Sequence, residues 1–145
     1  MNYKEEKLAQ EHALLKALAN YIGADNYAKF ADYSRKYRID GCLYNNNKQV
    51  VAFAECKWYT SHSYLWINIP KYNEMKLLCE TTGLNGYFVF REPSKCGFLT
   101  LFRGSRQITL HKTIWAGGTP KHRDTQHDDY EPLLQLERKI EWIAP

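Results

Sequence analysis

Across residues 4–22 apolar side chains recur at Leu8, Leu15, Leu18 and Ile22, with Leu14 beside them. That spacing is helical, and Gly23 supplies a stop. Glu5 and Glu6 suit the acidic first turn of such a helix. Glu11 interrupts the stripe, three residues after Leu8 and four before Leu15, so it is expected on an inward or semi-inward face. Residues 27–31 (YAKFA) read as a short strand. Residues 37–44 (YRIDGCLY) and 49–58 (QVVAFAECKW) read as two longer ones, joined at Asn45-Asn46-Asn47-Lys48. Asn tolerates the positive φ that tight hairpin turns need. The second strand is almost continuously apolar, as a strand covered on both faces should be.

Residues 59–69 (YTSHSYLWINI) read as an aromatic loop. Pro70 then opens a helix, where its missing N–H costs nothing. Tyr72, Met75, Leu78 and Cys79 form its apolar face, and Gly83 ends it. A strand at 86–91 follows, then a hairpin of 97–102 and 106–115 around Arg103-Gly104-Ser105. Residues 116–129 are polar and read as a long loop; the tail from Glu131 reads equally as strand or helix. The order is helix, strands, helix, strand, then a β-rich end. That predicts one mixed α/β or α+β domain spanning 1–145.

Composition narrows the classes. Aromatic residues are 14% of the 145, too many for a chain disordered by composition. No run of about 18 apolar residues is present, so no membrane span is expected. The charged start MNYKEEKLAQEH has no apolar core, so no secretory signal is expected either. Cys42, Cys56, Cys79 and Cys96 form no CxxC pair and fit reduced, mostly buried thiols in the cytoplasm. The net charge of +4 is mild. Its distribution says more: Arg35, Lys36 and Arg38 precede Asp40, and Lys112, Lys121, His122 and Arg123 flank a Gly-containing loop. Such clusters suit a polyanion, or a solvated basic face.

Asp40 and Glu55 are acids placed where strands disfavour them. The turn pairs Tyr44 with about Gln49, which puts Asp40 opposite about residue 53, one step from Glu55 on the same face. Lys57, two residues beyond Glu55, shares that face. Glu11 can add a third carboxylate from the helix packed above. Repulsion among clustered carboxylates is relieved by a divalent cation, and hard oxygen donors favour Mg²⁺ or Mn²⁺. A lysine beside them can orient or activate water, or offset charge at phosphorus. The simpler alternative is an ion pair of Lys57 with Glu55 or Asp40. A fortuitous Glu-x-Lys predicts Asp40 and Glu55 on opposite faces or far apart.

Arg38-Ile39-Asp40-Gly41, about a dozen residues, then Ala54-Glu55-Cys56-Lys57 resembles the core of the PD-(D/E)XK nucleases. Within that superfamily it is most similar to archaeal Holliday-junction resolvases and related phage or viral resolvase-like nucleases. Their early helix Glu with Leu three or four places on is matched by Glu11-His12-Ala13-Leu14-Leu15. The resemblance covers about residues 5–91 and implies a restriction-endonuclease-like αβββαβ core. The β-rich part from about 97 to 145 is an extension it does not reach. It implies a metal-dependent DNA endonuclease acting on branched or structured DNA. Asp40, Glu55 and the Cys56 carbonyl would hold Mg²⁺ or Mn²⁺, Lys57 would be catalytic and Glu11 would assist the metal. Ile39 stands where the motif often has Pro. DNA contacts are expected from Arg35, Lys36, Arg38, Lys71, Tyr72, Lys121 and Arg123. Trp58, Tyr59, Tyr64, Trp66 and His62 are further candidates, while Asp128, Asp129 and Glu131 form a solvated acidic stretch. By analogy the protein is a homodimer of the cytoplasm, the host's if phage-encoded. The alternative is a DNA-binding module that keeps the fold without cutting.

Overall fold

The structure, a computed structural model, describes residues 2–34, 36–61, 64–117 and 130–143. Arg35, His62, Lys121, His122, Arg123, Asp128 and Asp129 lie outside them, as does most of the predicted 116–129 loop. The described residues fold as a mixed α/β structure of two helices and two sheets. No helix among the described residues is long and apolar enough to cross a membrane.

Helix α1 spans Tyr3–Ile22. The Asn2 side chain accepts from the Glu5 N–H at its start, and Gly23 ends it at φ 82°, where glycine alone is unstrained. Its buried face is Leu14, Leu15, Leu18 and Ala19, whereas Leu8 is 45% exposed. Strand β1 (Asn26–Lys29) leads through a short 3₁₀ turn at Phe30–Asp32 toward β2 (Gly41–Tyr44) and β3 (Val50–Trp58). The first strand therefore starts one residue earlier than expected and ends before Phe30. The segment 37–40 is not strand: Glu74 of the second helix accepts the Arg38 and Ile39 N–H groups and holds it off the ladder.

Strand β4 (Trp66–Asn68) runs directly into α2 (Ile69–Thr82), whose Asn68 cap accepts from the Lys71 N–H at 2.9 Å. β4 lies inside the expected aromatic loop. β5 (Asn85–Glu92) then pairs parallel to β3, with α2 as the crossover. β6 (Lys95–Arg103), the two-residue β7 (Arg106–Gln107) and β10 (Glu141–Ile143) complete the main sheet, ordered β1-β2-β3-β5-β6-β10 with β7 on β6. β8 (His111–Gly117) does not continue the expected hairpin. It pairs with β9 (Tyr130–Leu136) and, through β9, with β4 in a second sheet. The ambiguous tail is thus two strands.

The main sheet is covered on both faces, and β3 shows how. Ala52, Ala54 and Cys56 pack with the α1 leucines, Leu43, Val89 and Phe98. Phe53 packs on the other side with Cys42, Met75, Cys79, Phe88, Phe90 and the second sheet's Leu134 and Leu136. The period-2 alternation then assigns Glu55 and Lys57 to the α2 side. Gly41 permits the tight meeting of β1, β2 and α1: a Cβ there would overlap the Ala28 carbonyl oxygen and lie 3.3 Å from Leu15. All four cysteines are free, and three are buried.

Candidate metal and phosphodiester site

The turn and a β-bulge together decide where Asp40 sits. Tyr44 pairs with Val50, but Leu43 pairs with Ala52 and Gly41 with Ala54, with the irregularity between Leu43 and Tyr44. One further step puts Asp40 level with Glu55, not opposite residue 53. β2 begins at Gly41, so β3 runs past it and leaves an open edge. Asp40 Oδ2 takes the Cys56 N–H at 2.7 Å there. The backbone also fixes Asp40, whose carbonyl accepts from Phe30 N–H at 2.8 Å.

Glu55 is 2% exposed. Its Oε2 accepts from Lys71 Nζ at 2.9 Å, while Oε1 is buried with no protein donor. The Asp40 carboxyl lies within hydrogen-bonding range of the Glu55 carboxyl. Two ionised carboxylates only accept, so this contact closes only with a proton or a cation between them. Burial, then the Asp40 charge, pushes the Glu55 pKa well above the carboxylate range, against Lys71. Burial also opposes an ionised Asp40. The Glu55 contact, the Cys56 N–H, Lys71 and Lys29 outweigh it, and the Asp40 pKa falls. Without a cation, Glu55 is therefore the partner that holds the proton. The two acids share one face and one spot, which is the arrangement a fortuitous Glu-x-Lys does not predict.

Lys57 does not serve as the ion partner of Glu55; Lys71 does. Lys57 Nζ lies 3.6 Å from the centroid of Trp66, which β4 sets over it. Its neighbours across the sheet in β5 are the buried Phe88 and Phe90, level with Glu55 and Lys57. Burial, and next the nearby Lys71 charge, bring the Lys57 pKa from 10.5 to about 8. Trp66 offers the ammonium a cation–π contact in place of water.

Glu11 faces inward as expected, but not onto the pair. Its Oε2 is held by Lys29 Nζ at 2.5 Å, and the same ammonium lies 3.6 Å from Asp40 Oδ1. Lys29 is 5% exposed. Its burial disfavours the charge, but Glu11 and Asp40 outweigh that and raise its pKa. Lys29 is not among the positions expected from the sequence. The signal that could have found it is a lysine between Ala28 and Phe30 in an otherwise inward-reading strand.

Other expected positions separate. Lys71 is brought into the site from the first turn of α2. Tyr72 is corrected to a core residue: it is 5% exposed, with its ring against Phe102 and His111, and cannot reach DNA. Lys36 and Arg38 are exposed, and Arg38 Nη1 lies 3.8 Å from Glu74. Tyr59 is buried and Tyr64 exposed, whereas Trp58 stacks on Tyr3. The Cys56 thiol is buried and pushed well up by burial and by Asp40, so its contribution is its backbone. In an extended strand the C=O of a residue leaves on the same edge as its N–H, here the edge of Asp40.

Among the described residues, no three His, Cys, Asp or Glu side chains are arranged to hold a metal ion. The oxygen donors at this edge are the Asp40 and Glu55 carboxylates, with the Cys56 carbonyl leaving β3 on the side of its N–H, and the orphaned Glu55 Oε1 is the acceptor a cation would satisfy. All are hard donors, suited to Mg²⁺ or Mn²⁺. No family model, curated protein or solved structure matches the chain.

Proposed function

We propose that the protein is a metal-dependent deoxyribonuclease that hydrolyses phosphodiester bonds in branched or structured DNA, as the resemblance to resolvase-like PD-(D/E)XK nucleases implies. The observation that carries this reading is the buried Asp40–Glu55 pair, with a donorless oxygen, beside a lysine whose pKa is about 8.

Asp40, Glu55 and the Cys56 carbonyl would hold the cation. Bound there, Mg²⁺ or Mn²⁺ supplies Lewis-acid polarisation of a phosphoryl oxygen and a lowered pKa for water. The chain supplies the rest. With a pKa of about 8, Lys57 is neutral in about a tenth of molecules at pH 7, and this fraction accepts a proton from the attacking water. Charged, the same group offsets negative charge building at phosphorus. The water oxygen bonds to phosphorus, one ester P–O bond breaks, the leaving oxygen takes a proton from solvent water to end as a hydroxyl, and Lys57 returns its proton to solvent. Phe88, Phe90 and Trp66 keep bulk water from Glu55 and Lys57, which strengthens every charge interaction there. Lys36 and Arg38 contribute basic surface for phosphates. Cutting paired strands at a junction calls for two such sites, hence a homodimer. On this reading the enzyme works in the cytoplasm, the host's if phage-encoded.

A second reading, DNA binding without cutting, draws on Lys29 and Lys71, which already offset charge on Asp40 and Glu55. Incubating the protein with end-labelled four-way-junction, flap, duplex and single-stranded DNA, with Mg²⁺, Mn²⁺ or chelator, separates the two. Metal-dependent cleavage of any of these supports the nuclease. Tight binding without cleavage, and without stabilisation by either metal, favours the module.

A further inference from the structure

Lys29 is the least expected charge in the fold. Its ammonium is buried between two carboxylates, at 2.5 Å from Glu11 Oε2 and 3.6 Å from Asp40 Oδ1. The side chains of both Lys29 and Glu11 are nearly sealed from solvent, at 6% and 13% exposure. A divalent cation bridging Glu11 and Asp40 would need their oxygens at about 2.1 Å. The ammonium already stands in that space, and it is anchored from β1, whose pairing to β2 fixes Lys29 opposite Gly41. Asp40 is therefore shared asymmetrically. One oxygen faces Lys29 and the other takes the Cys56 N–H, while its carboxyl meets Glu55.

We propose that the Lys29 ammonium occupies the position between Glu11 and Asp40 that a second divalent cation would otherwise take, so that the site loads one cation, on Asp40 and Glu55, and Glu11 is a partner of Lys29 and no ligand. This rests on the nuclease reading for the first cation. It goes beyond that reading by fixing the number of metals and removing Glu11 from the ligand set. Lys29 is a positioning residue: it holds Glu11 away and steadies Asp40.

Counting bound Mn²⁺ by electron paramagnetic resonance, with calorimetric titration for affinity, tests it. Wild-type protein binds one Mn²⁺ per chain. Lys29→Gln binds two, because the neutral amide frees Glu11 and Asp40, and Lys29→Gln/Glu11→Gln returns to one. A wild-type count of two, or Lys29→Gln remaining at one, overturns the proposal while leaving the nuclease reading in place. A wild-type count of zero overturns both. If Lys29→Gln does not fold, Glu11→Gln decides. Its single Mn²⁺ binds within about threefold of wild type, whereas a loss of tenfold or more makes Glu11 a ligand and overturns the proposal.

Discussion

The carboxyl groups of Asp40 and Glu55 meet at the open edge of β3, in a setting that supplies Lys71 to one Glu55 oxygen and no donor to the other. The pair is poised between two ways of closing that contact, a proton or a cation. A proton and a cation therefore compete for the same contact.

Without metal, Glu55 should make stability depend on pH. Its folded pKa lies above its unfolded value, so the folded state holds a proton that the unfolded state has released. Stability is then present below the ordinary carboxylate range and is lost as pH rises toward the folded pKa. Asp40, shifted the other way, contributes stability that is present above the ordinary carboxylate range and is lost as pH falls through its folded pKa. Glu55→Gln keeps a donor on the pair and removes this slope. In chelator at pH 7 to 8 it should be more stable than wild type by about 1–3 kcal/mol, the cost of an unpaired buried polar group. Denaturant melts across pH 5 to 8 check this, and a variant that tracks the wild-type slope refutes it.

Lys57 should also destabilise the fold it serves. Its pKa falls from 10.5 to about 8, so the charged form is disfavoured in the fold. The penalty is full below pH 8 and is relieved between pH 8 and 10.5. A shift of this size corresponds to about 3 kcal/mol, part of it returned by the Trp66 face. Lys57→Met should raise the melting temperature at pH 7 by several degrees and cut DNA hydrolysis by at least about 100-fold. A variant that melts lower than wild type would show that the ammonium is a net stabiliser.

Trp66 offers a separate handle on the same lysine. Its ring favours the charged form. Replacing it in Trp66→Leu should lower the Lys57 pKa below about 8 and move the rise of the pH–rate profile toward acid. The expected displacement is about half a pH unit or more. An unmoved profile would mean that Lys57 titration does not set the rate.

Gly41 is the hinge between scaffold and site. A methyl group there runs into the Ala28 carbonyl, next to Lys29 and Asp40 in sequence. Gly41→Ala should cost about 1–3 kcal/mol, measured in denaturant. Because the clash pushes β1 from β2, it should also weaken Mn²⁺ binding more than Gly23→Ala does. A side chain at Gly23 is strained by the φ of 82° but would meet nothing within 4 Å. Equal effects of the two on Mn²⁺ binding would mean that the site does not feel the β1–β2 spacing.

Much of this was legible where the signal is local. The helical stripe with its Gly23 stop, the apolar run into Glu55 and Lys57, the Asn-rich turn, and the Pro70 and Gly83 bounds of α2 all emerge from neighbouring residues. What was lost depended on distant partners. The turn pairs Tyr44 with Val50 instead of Gln49 and the bulge at Leu43/Tyr44 adds one more step, so Asp40 moves by two positions against Glu55, and no turn residue announces the bulge. Lys29 and Glu11 are 18 residues apart, and nothing in either segment names the other. β8 resembles a hairpin partner for β6, but its ladder is with β9, across the stretch from 118 to 129. Tyr72 carried a contact role by its place beside Lys71, yet α2's period turns it into the core.

Whether the Asp40–Glu55–Lys57 cluster cuts DNA is decided by single-turnover hydrolysis of end-labelled branched DNA in Mn²⁺. Wild type is compared with Asp40→Asn, Glu55→Gln and Lys57→Ala, the folding of each verified by its melt. Wild type should cleave, chelator should abolish cleavage, and each variant should lose at least about 100-fold. Cleavage retained in Asp40→Asn and Lys57→Ala, or no cleavage by folded, Mn²⁺-loaded wild type on any DNA offered, would contradict a nuclease centre built on these residues.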